Sequence, residues 1–228
     1  MVMINRIVQH LMRETPRGQP LDSVLLRELG VSVHLASHLV KEGWMYRLSS
    51  GAYLLTGDKP TRDGTIAFLG RRIKGLHVGG KTALAWYGVR HNIPFREKVV
   101  LWGKTKYKFP PWVEEVMLFS YQTTSIFNKD FPYGSWIKTM PYGNQNVLVS
   151  CPERALLELA SEVGKGQSME EVRNLAVMLR NLRPAVLVEL MDYCSRVKVV
   201  KLVCKLGGEA GYSWGSEVLK YDFFRRKV

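Results

Sequence analysis

The tightest constraint on the fold lies in residues 1–58, where apolar residues recur at helical spacing three times and the pattern then switches to alternation. Ile4, Ile7, Val8 and Leu11 mark one face of a first helix, and Pro16-Arg17-Gly18 ends it. Leu21, Val24, Leu25 and Leu29 mark a second, with Gly30 placed to end it in a positive-φ conformation. Ser32 is a good N-cap for a third, in which Leu35, Ala36, Leu39 and Val40 face inward until Gly43. Trp44, Tyr46 and Leu48 then alternate with Met45 and Arg47, Ser49-Ser50-Gly51 supplies a turn, and Ala52 to Leu55 resumes as a strand. Two short helices joined by a tight Gly-containing turn and followed by a hairpin predict a winged helix-turn-helix, with Gly57-Asp58-Lys59-Pro60 as its boundary.

Residues 61–228 mix element types. Ile66 to Ile73 and Thr82 to Tyr87 read as helices, Lys98 to Trp102 and Val116 to Tyr121 as strands. Ser135 to Met140 and Asn146 to Val149 read as a hairpin around Pro141-Tyr142-Gly143. Ser150 or Cys151 can cap a helix with Pro152 in its first turn and Glu153 toward its positive end. Glu170 to Leu182 and Ala185 to Cys194 are further helices that meet at Arg183-Pro184. The expected class is α+β: an N-terminal winged helix-turn-helix over 1–58, then a larger mixed α/β domain over 61–228 with a helical C-terminal part.

Charge points toward a polyanion. The chain has 33 Lys+Arg against 20 Asp+Glu, a formal net charge of +13. The excess is uneven: 7 basic against 5 acidic residues over 1–60, 13 against 5 over 61–150, and 13 against 10 over 151–228. No apolar run reaches the roughly 18–20 residues of a membrane helix, and the charged stretch from Met1 to Arg17 leaves no signal-peptide core, so a cytoplasmic protein is expected. Cys151, Cys194 and Cys204 fit neither a disulfide framework nor a metal-binding spacing, and read as buried thiols.

In a helix-turn-helix the second helix of the motif enters the major groove. With Leu35 and Leu39 inside, Ser32, Val33, His34, Ser37, His38 and Lys41 face outward: Ser and His to base edges or phosphate, Val33 to a thymine methyl, Lys41 to a phosphate. Arg47 and Tyr53 on the wing are candidate backbone contacts. Arg71, Arg72, Lys74, Lys81, Arg90, Lys104, Lys106 and Lys108 form a basic segment suited to phosphate or a protein partner. The competing readings are a stand-alone winged-helix regulator without a toxin, a protein-interaction module, an RNA-binding or adaptor protein, or an enzyme that processes nucleotide or nucleic acid through the Gly75–Thr82 loop. His34 and His38 stand at i, i+4, yet no third ligand follows, so no metal and no cofactor are expected. Gly75 to Thr82, Gly-Leu-His-Val-Gly-Gly-Lys-Thr, satisfies the phosphate-loop pattern, but a basic helix precedes it where a buried strand is required. Gly79-Gly80 is read instead as a strand-to-helix turn that lets Leu84 and Trp86 pack. Cys151 with His77 or His91 has nothing to orient it as a nucleophile.

Several stretches resemble one family. They are Leu-Gly-Val-Ser in the turn, Leu-Val-Lys-Glu-Gly-Trp before Arg47, Gly-Ala-Tyr at 51–53, Val-Gly-Gly-Lys-Thr-Ala-Leu at 78–84 and Tyr-Gly-Val-Arg-His at 87–91. Val-Ser-Cys-Pro-Glu-Arg-Ala-Leu-Leu-Glu-Leu at 149–159, Leu-Arg-Pro at 182–184 and Leu-Met-Asp-Tyr-Cys-Ser-Arg-Val-Lys at 190–198 follow in order. The chain resembles the AbiEi-like antitoxins and transcriptional regulators of type IV (AbiE) toxin–antitoxin systems. The resemblance implies a winged domain that binds repeats in its own promoter and represses its operon, a role in phage defence, and no enzymatic activity. It also implies a C-terminal domain that counters a nucleotidyltransferase-type toxin, in many cases without a stable complex. The family commonly has Arg where Lys81 stands, and continues past the region of Trp214 with glycine-rich strands where this sequence runs to Val228.

Overall fold

The computed structural model describes residues 2–91, 96–140 and 142–225. The first unit is α1 (Val2–Glu14), β1 (Leu21–Asp22), α2 (Ser23–Glu28), α3 (Val33–Lys41), β2 (Met45–Ser49) and β3 (Ala52–Leu55). Its three strands pair antiparallel in the order β1-β3-β2, which makes a winged helix. Asp22 caps α2, its carboxylate accepting the backbone N–H groups of Val24 and Leu25 at 2.8 and 2.7 Å. Ser32 caps α3 by accepting the Leu35 N–H at 3.2 Å. Gly30 and Gly43 end the two helices at φ +79° and +78°, a region costly for residues with a Cβ. Leu11, Leu21, Leu26, Leu39, Met45 and Leu55 close a small core between the helices and the wing.

The larger unit runs α4 (Arg62–Arg72), β4 (His77–Val78), α5 (Gly80–Trp86), β5 (Lys98–Trp102), α6 (Pro111–Val116), β6 (Leu118–Gln122), β7 (Ile137–Thr139) and β8 (Leu148–Ser150). Then follow α7 (Pro152–Ser161), α8 (Met169–Met178), α9 (Pro184–Tyr193), α10 (Val197–Ala210) and α11 (Ser213–Arg225). The five strands form a mixed sheet ordered β6-β5-β4-β8-β7, with β5/β6 and β4/β8 parallel and the other neighbours antiparallel. The architecture is α+β, as the residue patterns predict.

Several boundaries differ from the pattern reading, for local reasons. The helix expected from Ile66 begins at Arg62, because the Thr61 hydroxyl accepts the Gly64 N–H at 3.1 Å and starts it a turn earlier. The strand expected from Val116 begins at Leu118, because Pro110-Pro111 starts the short helix α6. The helix expected to reach Leu182 stops at Met178. Helices α10 and α11 were hidden by valines and glycines. Val199, Val200, Val203 and Leu206 nevertheless bury one helical face. A Cβ on Gly215 would lie 2.0 Å from the Gly207 carbonyl oxygen, so these two glycines permit the close crossing of α10 and α11.

The two units are tightly joined. A Cβ on Gly64 would lie 2.3 Å from the Gly18 carbonyl oxygen, so α4 touches the chain leaving α1. Asp58 in the expected boundary accepts the Gly18 N–H at 3.0 Å and pairs with Arg17. Arg71 bridges back to Asp22 and Glu28 at 3.2 and 2.7 Å, and Asn144 donates to Gln19 at 2.8 Å. The outer side of the wing also belongs to this seam: Ala52 and Leu48 pack into the larger core, and the Trp112 indole donates to Ser49 Oγ at 3.2 Å. The hairpin therefore packs on both faces, on its own helices with one and on the larger unit with the other, and leaves Arg47 and Ser50 exposed.

Candidate nucleic-acid interface

Against this covered seam, the outward side of α3 is bare. Ser32, Val33, His34, Ser37, His38 and Lys41 are all exposed, and Val33 shows 61% of its surface although it is apolar. The inward side is held by Ala36 and Leu39, which are buried in the small core. Helical spacing places His34 and His38 one turn apart, with Lys41 in the last turn. The two serines are partly committed to their own helix, Ser32 as its cap and Ser37 by donating to the Val33 carbonyl at 3.1 Å. His34, His38 and Lys41 are exposed and carry the candidate base and phosphate contacts.

On the wing, the Arg47 guanidinium lies 5.9 Å from the Tyr53 ring centroid, across a cross-strand pair. Arg47 is exposed, whereas Tyr53 is half-buried against the small core and so steadies the arginine more than it reaches outward. The hairpin turn at Ser50-Gly51 is clamped from behind by Arg72, which donates to the Gly51 carbonyl at 3.1 Å and stacks on Phe68.

The predicted basic segment does not form one patch; β5 divides it. Lys98 begins this strand and Lys104 follows its end. At the wing end, Arg72 touches the wing turn, and the Lys104 N–H donates to the Lys74 carbonyl at 3.0 Å. Lys106 and Lys108 are exposed because Tyr107 and Phe109, which alternate with them, pack toward Phe119 and Tyr121. At the opposite end, Lys81 sits near Lys98, through Thr82 bonded to the Lys98 carbonyl, and Arg90 is exposed beside it. Two members have acidic partners within the chain. Arg71 is spent on Asp22 and Glu28, and Lys81 on Glu171, so neither offers an unpaired charge to phosphate.

The family models decide where this architecture belongs. One described as the AbiEi antitoxin N-terminal domain of a transcriptional regulator matches residues 5–95, and one described as a transcriptional regulator, AbiEi antitoxin, type IV toxin–antitoxin system, matches residues 96–223. The chain belongs to the AbiEi antitoxin family of transcriptional regulators. No curated protein matches it. Among solved structures, the chain is similar to the RV2827C protein from Mycobacterium tuberculosis, with a TM-score of 0.56 at 14% identity, over 96% of this chain and 81% of that one. At that identity the likeness speaks to the fold alone. The N-terminal family model extends past the wing to take in α4, β4 and α5.

In this AbiEi chain the phosphate-loop pattern has another use. The strand β4 lies inside the pattern instead of before it, and Gly79 is the N-cap of α5. The place an anion would take at the Gly80 N–H is filled by the Glu158 carboxylate, at 3.0 Å. A Cβ on Gly79 would fall 2.2 Å from the same carboxylate, which is why glycine stands there. Glu158 also accepts from His77 Nε2 at 3.0 Å, Ser150 Oγ at 2.9 Å and Arg154 Nε at 2.8 Å. Burial opposes its charge, but the surrounding His77 and Arg154 prevail and hold its pKa down at about 2. Arg154, equally buried, donates further to the Tyr133 and Ser135 carbonyls at 2.7 Å. This network fastens α7 to β4 and to the segment before β7. Sequence inspection did not single it out, although a helix carrying Glu153, Arg154 and Glu158 among continuous leucines and alanines signals buried charges needing partners.

Cys151 is not activated: burial pushes its thiol pKa up, and His77 is occupied by Glu158. All three cysteines are buried. Among the described residues no group of three or more His, Cys, Asp or Glu is arranged to hold a metal, and no helix is long and apolar enough to cross a membrane.

Proposed function

We propose that this AbiEi-family chain is a sequence-specific DNA-binding repressor of its own operon and the antitoxin of a type IV toxin–antitoxin pair, acting in the cytoplasm. The outward side of α3 lies in the major groove, with His34, Ser37 and His38 at base edges, Val33 against a thymine methyl and Lys41 on a phosphate. Arg47 contacts the backbone beside the wing, and Arg72, Lys74, Lys104, Lys106 and Lys108 continue the phosphate track onto the larger unit. The observation that carries this reading is the exposure of the whole outward side of α3 on a helix whose other side is locked into a core.

The larger unit neutralises a nucleotidyltransferase-type toxin without a lasting complex; family membership supports the antitoxin role itself. Binding of the purified chain to its own upstream DNA, compared with an unrelated duplex of equal length, tests the repressor half. Preference for the upstream DNA, with affinity falling steeply as salt rises, is expected; equal binding to both duplexes contradicts it. Co-expression with the neighbouring toxin frame tests the antitoxin half: restored growth is expected, and unrelieved arrest contradicts it.

A further inference from the structure

On the side of the sheet facing α5, α7 and α8, a recess of about 540 Å³ opens at the Lys98 end of β5, away from the wing. Its size lies within the range of roughly 300–1,000 Å³ usual for small-molecule sites. Val100, Leu159 and Leu175 give it an apolar floor, all of them buried. Its rim is cationic: five Lys and Arg side chains line it against three Glu.

The carboxylates are already engaged. Glu171 holds Lys81, Glu97 accepts from Arg62 at 2.8 Å, and Glu162 accepts from Gln122 at 2.6 Å. Arg90, Arg96 and Lys98 make no ion pair with any described residue, and Arg90 Nε donates to the Ala85 carbonyl at 3.0 Å, which leaves its terminal nitrogens for a ligand.

An apolar floor and guanidinium and ammonium groups without ion-pair partners at one rim match a flat heterocycle carrying phosphate. We infer that this recess binds a nucleoside phosphate, with the base over Val100, Leu159 and Leu175 and the phosphates on Arg90, Arg96 and Lys98. Arginine suits this role because its fork matches phosphate oxygens in pairs. Lys81 and Thr82 border the recess beside the phosphate-loop pattern, but the loop's own anion position stays with Glu158. No hydrolysis is implied. The site lies at the end of β5 opposite the basic residues near the wing, and does not depend on the DNA reading.

Calorimetric titration of the full chain with ATP, UTP and inorganic pyrophosphate tests it. Saturable one-to-one binding of a nucleoside triphosphate, tighter than pyrophosphate, is expected. The double variant Arg96→Glu/Lys98→Glu should weaken it about tenfold or more without moving the unfolding temperature. If the double variant fails to fold, Lys98→Gln alone, at an exposed strand end, should still weaken binding. Absence of saturable binding, pyrophosphate binding as tightly as either nucleotide, or affinity unaffected by the rim substitutions would overturn the assignment.

Discussion

The outward side of α3 and the buried face of α7 are both helical surfaces rich in polar side chains, and they are built on opposite rules. On α7 every polar group has a partner inside the molecule: Glu158 takes donors from four residues, and Glu153 receives both the backbone and the guanidinium of Arg183. On α3, His34, His38 and Lys41 lie exposed. A polar group deep in a core is retained only when its bonds are made, whereas one left open at the surface costs the fold little and is available to a ligand. The difference teaches which charges in a basic chain belong to the scaffold and which to recognition.

Substitutions sharpen the contrast. Glu158→Ala leaves Arg154 buried beside an unpaired site and should cost about 3–5 kcal/mol in denaturant unfolding. The same network predicts an acid limit. The folded-state pKa of Glu158 is depressed, so its contribution is present above the ordinary carboxylate range and is lost as pH falls toward about 2. The wild-type unfolding temperature should fall through that window, and Glu158→Gln should flatten the fall; an unchanged pH dependence would break the link between this carboxylate and stability.

Gly64→Val should strain the seam at Gly18 by about 1–3 kcal/mol and expose residues 57–60 to protease, with the larger core otherwise intact. Uniform protection of that segment would show the seam to be more yielding than its spacing suggests. Arg71→Ala removes two partly exposed ion pairs and should cost no more than about 1 kcal/mol. A larger loss would place more of the docking energy in that arginine than in the apolar contacts of Leu48 and Ala52.

The winged half is legible in the sequence because each of its signals is local. Apolar residues return within one helical turn, Gly30 and Gly43 stand at the ends, and Asn-free alternation with Gly51 makes the hairpin. Strand β5 and the start of α7 are legible for the same reason. What escaped detection depends on distant partners. Arg71 looks like a phosphate ligand until Glu28 arrives from 43 residues away, and Lys81 until Glu171 arrives from 90. The Gly18–Gly64 contact and the division of the basic segment by β5 exist only once the chain is folded. Helix α10 was obscured by β-branched residues whose strand preference its packing overrides.

The central claim is that the outward side of α3 is free for recognition and contributes little to the fold. The triple variant His34→Ala/Ser37→Ala/His38→Ala, measured in one gel-shift series on upstream and unrelated DNA, tests it most directly. The account predicts stability within about 0.5 kcal/mol of the parent, loss of preference for the upstream DNA, and residual binding that remains salt-sensitive. A folded triple variant that still prefers the upstream DNA as strongly as the parent would contradict it.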